Sequence, residues 1–356
     1  MSDKDCSELS ELRRQIDDVN GQILDLLNER ARLVLQIQSV KEQHDISLFS
    51  PGREKEMLDA VLARNSGPFS DATVTALFKE IFRASLESME STGADSLQIS
   101  RTHGQPDIIV SAGGREIGGK PVIIAGPCAI ESVRQAGEVA ALLCRLGVGF
   151  MRGGAFKPRT SPYSFQGLGL EALAIIDEIK REYGLTIVTE VTDTRSVEAV
   201  AASADILQIG SRNMANYELL KAAGATGRPI LIKRGFAATL DEFLMAAEYV
   251  AREGNTQIIL CERGIRTFAR ETRFTLDISA VPLLRQMCRL PVIVDVSHAA
   301  GRRDLVVPLA KAALAAGASG VMVEVHPMPA VARSDSAQQL DPSEFEAMVA
   351  ALGMLQ

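Results

Sequence analysis

The chain has no uninterrupted apolar stretch approaching the roughly 18 residues that a membrane span requires. Its start, MSDKDCSELSELRR, also lacks the apolar core of a signal peptide. The expectation is a cytoplasmic protein with no membrane partner. Positive charge is in deficit too: 38 Lys and Arg stand against 45 Asp and Glu, a formal net charge of −7. Nucleic acid is not attracted to an acidic surface, so any local cluster of cations calls for a small anion. Cysteine is sparse: Cys6, Cys128, Cys144, Cys261 and Cys288 are odd in number and widely scattered. That argues against a disulfide framework and for a reducing compartment. Only four histidines are present.

What is there divides into two patterns. From about Glu8 to Lys41, apolar residues recur at threes and fours, Leu9, Leu12, Ile16, Val19, Ile23 and Leu26 among them. This spacing predicts one long amphipathic helix. Further helices are predicted over about 53–64 and 71–90. Three such helices, the first near 50 Å long at about 1.5 Å per residue, do not easily close a core alone. Dimerisation through this region is expected. Residues 1–90 are thus read as an all-helical domain, 91–106 as a polar, glycine-containing linker, and 107–356 as a second domain.

The second domain alternates short β-branched runs with amphipathic helices. Strands are predicted at 122–125, 150–152, 186–190, 206–209, 230–233, 257–261, 292–295 and 320–324. Eight strands, each apolar on both faces and followed by helical patterns, predict an α/β fold of the (β/α)8 TIM barrel type. A segment IIVSAGGREIGG before the first strand reads as a hairpin plugging the bottom of the barrel.

Active sites in this fold sit where strands end, so polar residues there become candidates. Cys128, His298, Glu324 and Asp335 combine a thiol, an imidazole and two carboxylates, a set suited to a divalent transition metal rather than calcium. Taken singly, each is as simply a buried cysteine or a solvated acid; together at one rim they point to a metal. Arg152, Lys157, Arg159, Arg212, Lys233 and Arg263 exceed what one carboxylate needs, and two phosphates with a carboxylate would use them fully. The run Lys157-Pro158-Arg159-Thr160-Ser161 is the densest part of this set. Neighbouring cations would lower the pKa of Lys157 and let it donate a proton. A metal beside two phosphate subsites suggests joining a phosphorylated aldehyde to a second phosphorylated substrate.

The motifs AGPCAIES, RGGAFKPRTSPYSFQGLG, QIGSRNM, ILIKRG, LCERGIRTF, DVSHAAGRRD, MVEVHP and SDSAQQL stand in barrel order. In them the chain resembles the 3-deoxy-D-arabino-heptulosonate 7-phosphate (DAHP) synthase family, of its type I beta branch, from about Asp107 to Gln356. The resemblance implies that Cys128, His298, Glu324 and Asp335 hold one divalent ion, Mn2+, Fe2+, Zn2+ or Co2+. It implies that Arg152, Arg212, Lys233 and Arg263 grip phosphoenolpyruvate, and that Lys157, Pro158, Arg159 and Thr160 serve erythrose 4-phosphate. Lys157, Cys128 and His298 would be the catalytic residues of the first step of the shikimate pathway. The sister enzyme making 3-deoxy-D-manno-octulosonate 8-phosphate from arabinose 5-phosphate carries Ala-Asn where Pro158 and Arg159 stand, which favours the four-carbon aldehyde. Val296 and Phe274 depart from the commoner pattern of proline and asparagine, and neither is expected to touch the reacting groups.

The first domain resembles the helical chorismate mutase module. This implies a chorismate or prephenate site of Arg13, Arg30, Lys41, Arg53, Glu54 and Ser85, serving as a feedback sensor, a mutase, or both. Ser50 stands where that module usually has aspartate, and Met89 where it has glutamine; methionine cannot donate a hydrogen bond to the ether oxygen of the breaking bond. A homo-oligomer is expected, dimeric through the helical domain and tetrameric through the barrels.

Overall fold

The structure, a computed structural model, describes residues 3–44, 51–94, 97–101, 104–159 and 161–354. The chain divides into two compact units, Met1–Leu97 and Gln98–Gln356.

The first unit holds α1 (Asp3–Gln43), α2 (Pro51–Leu62) and α3 (Asp71–Ala94), with α1 and α2 each packed on α3. Phe82 is its one buried large apolar side chain among the described residues. Leu12, Ile16, Val19, Ile23, Leu26, Leu33, Ile37 and Val40 of α1 are each at least half exposed. Their three-and-four spacing makes one continuous apolar seam, of the kind that two helices bury against each other. The seam is longer than α3 alone can cover, because a helix of 41 residues extends roughly 60 Å at about 1.5 Å per residue.

The second unit opens with Ile99, wholly buried, whose carbonyl accepts from Arg289 N at 2.9 Å, while Arg101 N donates to Met287 O at 3.0 Å. An antiparallel hairpin follows, β1 (Val110–Ala112) and β2 (Arg115–Ile117). The strands β3 (Val122–Gly126), β4 (Phe150–Arg152), β5 (Thr186–Val191), β6 (Ile206–Ile209), β7 (Ile230–Lys233), β8 (Ile258–Glu262), β9 (Val292–Asp295) and β10 (Gly320–Glu324) then form a closed parallel barrel in chain order. Around them lie α4 (Val133–Arg145), α5 (Leu170–Tyr183), α6 (Val197–Ser203), α7 (Tyr217–Gly224), α8 (Leu240–Ala251), α9 (Ala280–Met287), α10 (Val296–Ala300), α11 (Val306–Ala315) and α12 (Pro342–Ala351). Fixed starts help define the helices. Ser132 caps α4 by accepting from Gln135 N, and Thr239 with Glu242 and Asp341 with Glu344 form capping boxes on α8 and α12.

All eight predicted strands are present, and each is apolar on both faces because helices cover the outside while its neighbours fill the inside. Ile124, Phe150, Val188, Ile206, Leu231, Ile259, Ile293 and Met322, one from each strand, meet in a single core with Val110 and Ile117 of the hairpin. Ser111 N donates to the Gln257 side chain just before β8, so the hairpin closes the end at which strands begin. The opposite rim is thereby left open. The seam of closure is the β10–β3 pair, with Glu324 opposite Gly126. At Gly126, with φ 148, a Cβ would stand 2.1 Å from the Arg152 carbonyl. Only glycine lets the chain turn so close to β4 and deliver Cys128 beside Glu324.

Candidate active site

Cys128 follows β3, His298 lies in the short α10 directly after β9, Glu324 ends β10, and Asp335 lies in the loop beyond it. One donor atom from each falls within 4.8 Å of all the others. The four residues predicted from sequence therefore converge, although they are spread over more than half of the barrel's length. The Cys128 thiol lies 3.0 Å from Asp335 Oδ2, and His298 Nε2 is 3.5 Å from Glu324 Oε1 and 3.8 Å from Asp335 Oδ2.

The surroundings fix these groups. His298 Nδ1 is 2.8 Å from Asp295 Oδ2, and the His298 backbone N–H donates to Asp295 Oδ1 at 3.0 Å. The ring therefore presents Nε2 to the cluster, in the carboxylate–histidine arrangement that orients metal ligands. Glu324 accepts from Arg152 Nη1 at 2.8 Å and from Gln338 Nε2 at 2.6 Å. Asp335 accepts from Arg273 Nη1 at 3.2 Å and has the Lys157 ammonium 3.7 Å away. At φ 49 it is the single non-glycine residue with positive φ among the described residues, a strained conformation held where it aims a carboxylate.

Burial pulls the His298 pKa down to about 4, so its ring is neutral at pH 7. Burial pushes the Cys128 thiol up, reinforced by Glu324. Burial works to raise the Asp335 carboxyl, but Lys157 and the Cys128 thiol outweigh it and hold the group well below the usual carboxylate range. A neutral imidazole, two ionised carboxylates and a thiol that ionises on coordination are the donors a divalent transition ion takes. The cluster fits such an ion.

Beside the cluster opens a cavity of about 450 Å³. Arg152, Lys157, Arg159, Arg212, Lys233 and Arg263, the six cations predicted from sequence, all line it, together with Pro158, Ser161 and Ser164. Thr160 lies outside the described residues. Arg266, Arg273 and Phe236, which the sequence reading did not single out, line it as well, as does Phe274. Phe274, noted above as a departure from the commoner pattern, is part of the cavity lining. It sits on the cavity wall with the Arg263 guanidinium 4.0 Å from its ring centre, because the loop after β8 folds back against α10, where Phe274 N donates to Ala299 O. Val296 is wholly buried.

The cations differ in their tethers. Arg152 is held by Glu324, Lys233 pairs with the wholly buried Asp295, and the neighbouring Arg234 is shared by Glu262 and Asp277 at 2.9 Å each. Arg263 enters no ion pair among the described residues. Its Nε and Nη1 are buried with no hydrogen-bond partner, and burial lowers its pKa to about 10. The expectation for Lys157 is reversed. Burial works to lower its pKa, but the Cys128 sulfur, Glu324 and Asp335 outweigh that and raise it. Sequence counting saw the cations nearby; barrel closure brings the acids closer.

In the helical unit, Arg30 donates to Ser85 Oγ, and its guanidinium lies 5.2 Å from the Phe82 ring centre. Arg30 and Ser85 line a cavity of about 380 Å³ between α1 and α3 with Leu27, Val34, Ile81 and Arg83. Arg13, Lys41, Arg53 and Glu54 do not line it. Arg13 stands roughly 25 Å from Arg30 along the helix at about 1.5 Å per residue, and Arg53 donates to Glu56 instead. Met89 falls within α3; Ser50 lies outside the described residues.

Comparison with known proteins agrees with this geometry. The family model described as DAHP synthetase I family matches residues 104–355, and that described as chorismate mutase type II matches residues 12–90. The chain is 52% identical over 252 residues to a phospho-2-dehydro-3-deoxyheptonate aldolase of Thermotoga maritima, covering 70% of this chain and 75% of that protein. A 2-dehydro-3-deoxyphosphooctonate aldolase of Rhodopseudomonas palustris is 36% identical over 249 residues, 65% of this chain and 86% of that one. The solved structure of the Thermotoga aldolase superposes with a TM-score of 0.70 at 50% identity, covering 72% of this chain and 76% of that one.

Proposed function

The chain belongs to the DAHP synthetase I family, with a chorismate mutase type II domain ahead of the barrel, and from that premise we propose that the barrel condenses phosphoenolpyruvate with erythrose 4-phosphate and water to give DAHP and phosphate. The observation that carries this reading is the single cavity in which six cations stand beside a four-donor cluster.

Cys128, His298, Glu324 and Asp335 would hold the divalent ion, which when bound supplies a Lewis acid to polarise the aldehyde carbonyl. Arg152, Arg212, Lys233 and Arg263 bind the phosphate and carboxylate of phosphoenolpyruvate; Lys157, Pro158 and Arg159 position erythrose 4-phosphate, with Thr160 in the same loop. A carbon–carbon bond forms between the alkene carbon of phosphoenolpyruvate and the aldehyde carbon. Lys157, whose ammonium form the acids around it favour, delivers a proton to the former aldehyde oxygen. Water adds at the carbon that bore the phosphate, and the carbon–oxygen bond to phosphate breaks. Asp295 keeps the His298 ring and the Lys233 ammonium in place throughout.

The helical domain binds chorismate or prephenate in the Arg30–Ser85 cavity as a feedback signal. Arg13 would reach such a ligand only from a second copy of the chain docked along the exposed seam of α1, so the homo-oligomer and the ligand site are one proposal.

The test is consumption of phosphoenolpyruvate by the metal-loaded full chain with erythrose 4-phosphate or arabinose 5-phosphate. Turnover only with the four-carbon sugar supports the reading; preference for the five-carbon sugar would replace it with octulosonate phosphate synthesis. Inhibition by chorismate or prephenate that disappears in Arg30→Ala supports the sensor, and chorismate consumption by the same protein reports mutase activity.

A further inference from the structure

Phe236, in the loop after β7, and Phe274, in the loop after β8, stack with ring centres 5.1 Å apart and planes inclined by 8°. The Arg263 guanidinium sits 4.0 Å from the centre of Phe274 and 4.9 Å from that of Phe236. Arg212 and Arg266 lie 5.7 and 5.5 Å from Phe236. With Arg273 5.9 Å from the centre of Phe274, one aromatic pair thus faces four guanidiniums on the cavity wall, of which Arg263 is the nearest.

An acid and an aromatic face hold a cation differently. A carboxylate takes up N–H donors and cancels charge, as Glu324 does for Arg152. An aromatic face attracts the same cation through its quadrupole and leaves the edge donors unused. Arg263 is only 4% exposed, yet two of its nitrogens have no partner. A buried guanidinium with idle donors is costly unless an anion completes it.

We propose that Phe274 and Phe236 are positioning residues, forming a cation–π platform that holds Arg263 in place with its donors free for an oxyanion of the substrate. The chemical class is a phosphate or carboxylate, and the proposal rests on the reading of this cavity as the phosphoenolpyruvate site. Phe274 acts through Arg263, so its removal weakens anion binding without removing a reacting group.

The experiment compares the metal-loaded full chain with Phe274→Leu, which keeps apolar volume but no ring face, and Phe274→Tyr, which keeps the face. Phe236→Leu is the second variant, and thermal unfolding checks that each folds. Phe274→Leu is expected to raise the KM for phosphoenolpyruvate about tenfold, with much smaller changes in kcat and in the KM for erythrose 4-phosphate. Phe274→Tyr is expected to restore the value. Calorimetric titration of phosphoenolpyruvate should show the same order of affinities. Equal increases in both KM values, or a tyrosine variant no better than leucine, would overturn the platform. Wild-type protein that binds phosphoenolpyruvate but never turns over would sink the proposed reaction and leave the platform to be judged on the titrations. Wild-type protein that binds no phosphoenolpyruvate removes both.

Discussion

His298 Nδ1 stands 2.8 Å from Asp295 Oδ2, and that contact decides which nitrogen faces the four-donor cluster. Asp295 is wholly buried and also pairs with Lys233, so one carboxylate joins the metal side of the site to the anion side. Asp295→Asn should keep the fold but lower metal affinity about 10- to 100-fold. Competition with a chelator, read by metal content after gel filtration, measures it; unchanged affinity would mean that Asp295 does not orient the ligand.

Metal binding should release about one proton at pH 7. The Cys128 thiol is pushed above its ordinary value by burial and Glu324, so it is protonated until the ion arrives, whereas His298, lowered to about 4, is already neutral. The apparent association constant should therefore rise about tenfold per pH unit around neutrality. Calorimetry in buffers of different ionisation enthalpy counts the protons, and release of two would show that His298 is charged in the metal-free protein.

Thiol reagents should distinguish the cysteines in a Cys6→Ser background without metal. Cys144 is exposed, while burial raises Cys261 to about 12 and Cys288 to about 11. Only Cys144 should react with a chromogenic disulfide in the native state, the buried thiols appearing in denaturant. Rapid labelling of Cys261 in folded protein would contradict the closed barrel core.

The Arg234–Asp277 pair should contribute stability with a defined pH window. Burial works to raise the Asp277 pKa, but hydrogen bonds from Arg234 and Ser279 outweigh it and hold it below 3.8. Its contribution is therefore complete above about pH 4 to 5 and is lost as pH falls through the folded value. Asp277→Asn should cost about 1 kcal/mol at pH 7, the lower end for such a bond because the side chain is partly exposed. Urea midpoints from pH 8 downward should differ by a constant amount and converge only in acid. Convergence already at pH 6 would point to a different group.

Charging the seam of α1 should dissociate the homo-oligomer proposed above. The double variant Val19→Glu, Ile23→Glu places two carboxylates on residues at least half exposed in the isolated chain, where only burial in a partner makes them costly. Light scattering should show a smaller particle, and an unchanged mass would place the interface elsewhere.

Much of the site was legible because of how a barrel is built. Each strand is a doubly buried apolar run, so the eight appear in the sequence as eight short blocks, and the polar residue ending each block must face the rim. Cys128, His298, Glu324, Arg152, Lys157, Arg212, Lys233 and Arg263 could be named as residues at or just after strand ends, and Arg159 from the cation-dense run that follows β4. Asp335 joined the set by the chemistry of its carboxylate, and the motif resemblance implies the same role; it lies well beyond β10 in a loop that no periodicity places. Arg273, Gln338 and Phe236 left no local signal, and Phe274 registered only as a departure from a pattern: each matters through a partner brought near by a different loop.

The sequence by itself determined the elements, their order and the chemical types gathered at the rim, because propensity and periodicity are local properties of the chain. The partners were decided by tertiary structure alone. Closing β10 against β3 sets Glu324 beside Arg152 and brings acids to Lys157, raising a pKa that its cationic neighbours in sequence suggested would fall. The fold of the loops after β7 and β8 puts Arg263 against two phenylalanines rather than an acid. Electrostatic interaction depends on distance and burial, and neither exists until the chain has closed.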